Sequence, residues 1–170
     1  MSDTTDHLSV LGSIKERRQQ IAENLHTDVK VPHWDDDGKA PIYVRYKAVP
    51  HPFIERGIRK VENAPKKQRG QVELDTNCDL LIEACIGVYI QIGEGDDGKF
   101  SLDESDPEGE WTTFDPTLAT TLGLDDRATA RDVVKGLFFT DGDIFSHAAE
   151  VVEFSGYHTA TTNEELRGES

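Results

Sequence analysis

The sequence predicts an α+β protein that is predominantly α-helical, a helical domain with one small β-hairpin. Three observations lead to this fold class. Apolar residues recur at helical spacing in several segments of the 170-residue chain, helix-capping residues precede several of those segments, and alternation of apolar and polar residues is confined to one short region. Hydrophobic residues make up 36% of the chain, which supplies one folded domain with a core.

Residues 1–26 are predicted to form an N-terminal amphipathic helix. Four apolar residues recur there at heptad-like spacing: Leu11, Ile14, Ile21 and Leu25. Arg18 interrupts this stripe, and two heptads are too few to define a coiled coil. The sequence leaves two interpretations open: the stripe packs on its own domain, or it forms an arm that binds a partner.

Residues 27–158 are predicted to form a single, mainly helical domain that begins with a hairpin at 28–48. Apolar residues alternate in two runs, around Val29 and around Val44, and Asp37-Gly38 lies between the runs. A helix is predicted from Pro52 to about Asn63.

The strongest apolar run is predicted to be the central helix, from Asn77 to about Ile92. A basic segment at 64–70 precedes it and is expected to form a flexible connection. Thr76 and Asp79 resemble a capping box at its start. A long acidic loop is expected after it, at 94–110.

Three further helix starts are predicted from capping patterns. Asp115-Pro116 fits an N-cap with proline at the first position, and Thr129 with Asp132 fits a capping box. Asp143 is expected to cap the last helix, which Gly156 would close. Residues 159–170 are polar and are expected to form a mobile C-terminal tail.

Charge excludes some functions and suggests others. The chain carries a net charge of −15, divided into +3 over residues 1–69 and −18 over residues 70–170. Phosphate backbones would be repelled, so we expect no nucleic-acid partner. The longest apolar run, 80–92, is too short to cross a bilayer, so no membrane partner is expected either. The basic stretch at 56–69 and the acidic loop either remain solvated or meet between copies, so self-association is an open expectation.

The motifs that suggest chemistry fail in their context, so we expect no catalytic residues, no cofactor and no metal site, and therefore no enzyme. Residues 93–98 match a dinucleotide-binding glycine pattern, but three carboxylates would repel pyrophosphate. Residues 104–115 only partly match a calcium loop. Cys78 and Cys85 are expected to be free thiols in a reducing cytosol.

Several segments together resemble one family. They are, in order, PIYVRYKAV at 41–49, NCDLLIEACIGVYI at 77–90, WTTFDPTLATTLGL at 111–124, TARDVVKGLFF at 129–139, IFSHAAEVVEF at 144–154 and EELRGES at 164–170. In this series the chain resembles the tail assembly chaperones of long-tailed, siphovirus-type bacteriophages that infect actinobacteria.

This resemblance implies a function without catalysis. Such chaperones bind the tape measure protein, keep its long apolar helices in solution, and help to recruit the tail tube protein. The resemblance places the protein in the host cell cytoplasm and outside the mature virion. It also implies that a longer form is made by ribosomal frameshifting.

An apolar surface that binds a partner is expected on one face of the central helix, extended by the N-terminal stripe. The candidate residues are Leu81, Val88 and Tyr89, with Leu11, Ile14 and Ile21. The competing interpretation places them all in the core. The alternative function is a structural virion protein, either a tail subunit or a head–tail connector subunit.

Overall fold

Helices dominate the structure, and a small antiparallel sheet packs against them. The computed structural model describes residues 2–92, 99–101 and 111–157. Within these residues the helices are α1 (Ser2–Asn24), α2 (His51–Glu62), α3 (Arg69–Ala84), α4 (Pro116–Thr121), α5 (Ala130–Leu137) and α6 (Asp141–Phe154). The strands are β1 (Thr27–Lys30), β2 (Ile42–Tyr46), β3 (Cys85–Ile92) and β4 (Lys99–Ser101). The predicted class, α+β and mainly helical, is confirmed.

The predicted hairpin is the pair formed by β1 and β2. These strands are antiparallel, with Thr27 opposite Tyr46 and Val29 opposite Val44. Between them, Asp37 and Gly38 have φ values of 65° and 77°, the left-handed conformation that an Asp-Gly pair tolerates. The sheet is larger than the prediction, because β3 and β4 extend it in the order β1-β2-β3-β4.

The segment predicted as one central helix is divided between two elements, so that prediction is wrong. α3 ends at Ala84, and Cys85 has the extended backbone (φ −65°, ψ 120°) with which β3 begins. Five of the eight residues of β3 are β-branched or aromatic, and such residues favour strands. Val88 and Tyr89 face opposite sides of the sheet, yet both are buried. Apolar and polar residues therefore do not alternate along β3, and the sequence lacks the pattern that marks a strand.

The start of α3 also differs from the prediction. The helix begins at Arg69, so the end of the basic segment at 64–70 belongs to its first turn rather than to a flexible connection. Thr76 lies within the helix and caps nothing. Asp79 accepts hydrogen bonds from Nε and Nη2 of Arg131, both at 2.8 Å, and thereby joins α3 to α5.

Two predicted helix starts are confirmed. The carboxylate of Asp115 accepts a hydrogen bond from the Leu118 amide at 3.0 Å, with proline at the first position of α4. Thr129 and Asp132 form a reciprocal capping box at the start of α5. Each pairing satisfies backbone amides that the first turn of a helix leaves free.

The start of α6 lies three residues before the predicted cap. Thr140 is the N-cap, and its hydroxyl accepts from the Asp143 amide at 3.2 Å, so Asp143 lies in the first turn instead of capping it. An acidic side chain is favourable there as well, because the N-terminal end of a helix carries partial positive charge. Gly156 follows the helix with a φ of 75°, as expected for a residue that closes a helix.

α3 lies at the centre of the domain and packs against α2, α5 and α6. The buried apolar side chains form one cluster with the inner face of the sheet. The Trp34 indole, in the connection between β1 and β2, donates to the Leu137 carbonyl at 2.9 Å and fixes that connection on α5. These contacts make the domain continuous from β1 to the end of α6.

Some predictions fall on residues outside the described part of the chain. The glycine pattern at 93–98 and the tail at 159–170 lie there, as does most of the acidic loop at 94–110. Within that loop, residues 99–101 form β4 and pair with β3, so this short part is a strand.

Candidate protein-binding surface

α1 carries large apolar side chains that are exposed to solvent. We call these residues the α1 stripe. They are Val10 (57% exposed), Leu11 (55%), Ile14 (58%), Ile21 (63%) and Leu25 (52%), the last just beyond the helix end. Contiguous exposed apolar residues of this size are typical of surfaces that bind a partner.

Basic side chains border the α1 stripe. At 100° per residue, Lys15 and Arg17 lie on its two sides, and Arg18 lies within it. Glu16 and Glu23 lie on the opposite face of the helix. The stripe is therefore apolar and positively charged in a chain with a net charge of −15.

The remainder of the domain builds its core without α1. Among the described side chains, the buried apolar residues extend from Val31 to Val151, and none belongs to α1. The sequence left open whether this helix packs on its own domain or binds a partner. In the structure its apolar side chains do not pack on the domain. The stripe is therefore an exposed apolar surface.

The six predicted binding residues divide into two groups. Leu11, Ile14 and Ile21 are exposed on α1 and can contact a partner. Leu81 and Val88 are fully buried and Tyr89 is 2% exposed, so these three are core residues and their assignment to a surface is wrong. They do not share one helix face either, since Leu81 lies in α3 and the other two lie in β3.

A groove between α2 and α3 was not predicted. Its volume is about 310 Å³, and the C-terminal end of α6 closes one side. We call this the α2–α3 groove; its apolar lining consists of Phe53, Ile54, Gly57, Ile58, Val61, Leu80, Val152 and Tyr157. The apolar residues of α2 recur at helical spacing (Phe53, Ile54, Ile58 and Val61), but this pattern does not indicate which of them the domain covers.

The polar lining of the α2–α3 groove is acidic. Glu62 and Glu73 are its charged residues, and Thr76 and Asn77 are its uncharged polar ones. The Thr76 hydroxyl is buried and has no hydrogen-bond partner among the described residues. A side chain at Gly57 would meet the Thr76 methyl group at 2.8 Å, so the two helices approach closely at the floor of the groove.

The second face of the sheet carries an aromatic and cationic cluster. Tyr89 stacks on Tyr43 with ring centroids 5.7 Å apart and on Trp111 at 4.7 Å. The Arg45 guanidinium lies 4.7 Å from the Trp111 ring centroid, and its Nε donates to Asp28 at 2.8 Å. These contacts bury Tyr89 and explain why it is a core residue.

Burial raises the pKa values of both thiols. The pKa of Cys78 rises to about 11 and that of Cys85 to about 12, in each case mainly because burial disfavours the thiolate. Both cysteines are free. Neither is set up as a nucleophile, since reactive cysteines have lowered pKa values.

The described residues contain no group of three or more histidine, cysteine or acidic side chains arranged to hold a metal ion. No helix within them has the length and apolar character needed to span a membrane. Asp115, at the end of the calcium-like pattern, caps α4 and also accepts from the Thr112 hydroxyl at 2.6 Å.

Comparisons with protein-family models, with curated proteins and with solved structures found no match to this chain. Of the two apolar surfaces, the α1 stripe is the more exposed: its side chains are 52–63% exposed, whereas Ile58 in the α2–α3 groove is 40% exposed.

Proposed function

We propose that the protein is a tail assembly chaperone without catalytic activity, which binds apolar helices of a phage tape measure protein and assists assembly of the tail tube. The observation that carries the proposal is the α1 stripe, where five large apolar side chains remain more than half exposed beside a complete core. The segment resemblance supplies the identity of the partner.

The α1 stripe suits a helical partner. From Leu11 onward its residues recur at spacings of three, seven and four, so they share one helix face along which a second helix can pack. Lys15, Arg17 and Arg18 favour a partner whose apolar face is bordered by acidic residues. The −15 net charge of the chain keeps such a complex from aggregating through charge repulsion.

The test replaces the stripe with charge and measures capture of the partner. The variant Leu11→Asp/Ile14→Asp should reduce co-purification of tape measure helical segments at least about tenfold, because two desolvated apolar contacts are lost. Its unfolding free energy should stay within about 0.5 kcal/mol of wild type, because α1 contributes nothing to the core.

The matched control places the same charges on the opposite face of α1. Ser9→Asp/Gln20→Asp should retain capture, because neither residue belongs to the stripe. Unchanged capture by the stripe variant would contradict the proposal.

Purified phage particles distinguish the chaperone from a structural virion protein. A chaperone leaves before assembly is complete, so mass spectrometry of purified virions should not detect it. Stoichiometric amounts in particles would instead support the tail subunit or head–tail connector.

A further inference from the structure

The α2–α3 groove opens beside the point where the chain leaves the described domain, since Tyr157 is one of its lining residues. We propose that the segment after Tyr157, residues 158–170, docks in the groove of its own chain, with Leu166 as its apolar anchor. This inference goes beyond the proposed function, because it concerns the groove and leaves the α1 stripe free for a partner.

The chain turns back at the end of α6 and leaves the domain at the edge of the groove. Gly156 has a φ of 75°, and the Tyr157 amide donates to the Val152 carbonyl at 3.2 Å, so the chain reverses over the last turn of the helix. The Tyr157 ring then packs edge-on against His51, with ring centroids 5.3 Å apart. His51 is the first residue of α2, so the segment after Tyr157 starts at the N-terminal end of the groove wall.

The segment is long enough to follow the groove. α2 has 12 residues and is therefore about 18 Å long. Leu166 lies nine residues after Tyr157, and nine residues span at most about 30 Å when fully extended. Leu166 can therefore reach any point along α2, including Ile58, which is 40% exposed in the groove.

The lining of the groove offers contacts for both the anchor and the backbone of the segment. Leu166 is the only large apolar residue in the sequence from 158 to 170. Its contact with Ile58 would remove apolar surface of both side chains from water. The Thr76 hydroxyl at the floor of the groove has no hydrogen-bond partner among the described residues, so it can donate to a backbone carbonyl of a docked segment.

The segment and the surroundings of the groove carry opposite net charges. Residues 158–170 contain three acidic side chains and one basic side chain, a net charge of −2. Residues 51–73 contain six basic and three acidic side chains, a net charge of +3, even though the two charged residues that line the groove, Glu62 and Glu73, are acidic. Opposite charge therefore favours docking. The six basic residues are all exposed; they are Arg56, Arg59, Lys60, Lys66, Lys67 and Arg69.

The covalent connection favours the segment of the same chain over that of a second copy. Tyr157 already lies in the groove, so the residues that follow it are held at a high local concentration beside α2. A segment from a second copy would have to match that concentration in solution.

A cysteine placed in the groove tests the proposal on the full chain. Glu73 lines the groove and is exposed, whereas burial leaves Cys78 and Cys85 little thiolate. Labelling of Glu73→Cys with a thiol-specific reagent therefore reports access to the groove. Adding Leu166→Ser should speed this labelling about tenfold or more, because the segment loses its apolar anchor and no longer covers the groove.

Charge reversal within one chain provides a second test. Glu164 and Glu165 directly precede the anchor. Glu164→Lys/Glu165→Lys should also speed labelling of Glu73→Cys, because the segment is then repelled by the basic surroundings of the groove. Adding Arg59→Glu/Lys60→Glu to that variant should slow the labelling again, because the charges are once more opposite.

Matched controls carry the same kinds of change outside the groove. Glu55→Cys lies on α2 but does not line the groove, so its labelling rate should not respond to Leu166→Ser. Glu16→Lys/Glu23→Lys reverses two exposed charges on α1 and should leave labelling of Glu73→Cys unchanged. Circular dichroism of each variant verifies that it is folded.

Three results would overturn the proposal. They are equal labelling of the groove cysteine with and without Leu166→Ser, labelling that ignores both charge reversals, and protection that grows with protein concentration, which would assign the groove to a second copy. Failure of the proposed function would be separate. Leu11→Asp/Ile14→Asp should lose capture of tape measure helices and keep the groove protected, whereas Leu166→Ser should expose the groove and keep the capture.

Discussion

His147 lies in the core with both of its ring nitrogens hydrogen-bonded. Nε2 is 2.9 Å from the Lys30 carbonyl, and Nδ1 is 2.8 Å from the Tyr46 hydroxyl. A carbonyl can only accept, so Nε2 carries the proton and Nδ1 accepts from the hydroxyl. The neutral imidazole thus connects α6 with β1 and β2, and protonation of Nδ1 would oppose the Tyr46 donor.

This arrangement predicts that stability declines in mild acid. Burial lowers the pKa of His147, although its bond to the Lys30 carbonyl partly offsets the effect. The unfolded chain takes up the proton near pH 6.5 and the folded chain only at lower pH. Unfolding therefore absorbs a proton below about pH 6.5, and the unfolding free energy falls as the pH falls through that interval.

Urea denaturation of wild type and His147→Gln at about pH 7.5 and 5.5 measures this contribution. Near pH 7.5 the variant should be less stable by about 1 to 3 kcal/mol, because a buried partner loses its bond. The difference between the two proteins should narrow at the lower pH. A constant difference would show that His147 does not titrate on unfolding.

Among the elements, helix starts were easier to predict than the boundary between α3 and β3. Asp115 and Thr129 act through neighbours three residues away, so their roles are visible in the local sequence. The change from helix to strand at Cys85 depends on distant partners, since β3 pairs with β2 some forty residues earlier. A continuous apolar run does not contain that information.

Gly87 in β3 provides a test at the scale of the element. A Cβ there would lie 2.6 Å from the Trp111 ring, and the ring is fixed between Tyr89 and Arg45. Gly87→Ala should therefore lower the unfolding free energy by about 1 to 3 kcal/mol, measured by urea denaturation.

Gly70→Ala is the matched control for this prediction. Gly70 lies in the first turn of α3 with no atom within 4 Å of an added Cβ. Alanine there should stabilise the protein by about 0.5 kcal/mol, because it restricts the unfolded chain. If both variants had the same stability, close packing at Gly87 would not be the cause.

At the scale of the whole molecule, three of the six binding residues predicted from the sequence lie on the exposed surface. Heptad-like spacing identified Leu11, Ile14 and Ile21 as one apolar face. Spacing could not reveal whether that face was covered, because burial depends on the packing of every other element. The same limit concealed the α2–α3 groove and placed Leu81 on a surface, although its side chain is fully buried.

The raised pKa values of the two thiols predict that labelling of Cys78 and Cys85 requires the domain to unfold. Because burial raises the pKa of Cys78 to about 11 and that of Cys85 to about 12, little thiolate is present near pH 8. Labelling of the native protein with a thiol-specific reagent should be at least about 100-fold slower than labelling in urea. Rapid reaction of either cysteine in the native protein would indicate local opening of α3 or β3.

The two-residue connection between α1 and β1 has a mechanical consequence. A force applied to α1 first reaches the domain at Thr27, which pairs with Tyr46. The Tyr46 hydroxyl in turn forms a hydrogen bond with the His147 ring. The chain next reaches Lys30, whose carbonyl holds the other nitrogen of that ring. Force on the helix therefore acts first on an edge strand, which the His147 ring joins to α6 directly at Lys30 and, through Tyr46, at Thr27.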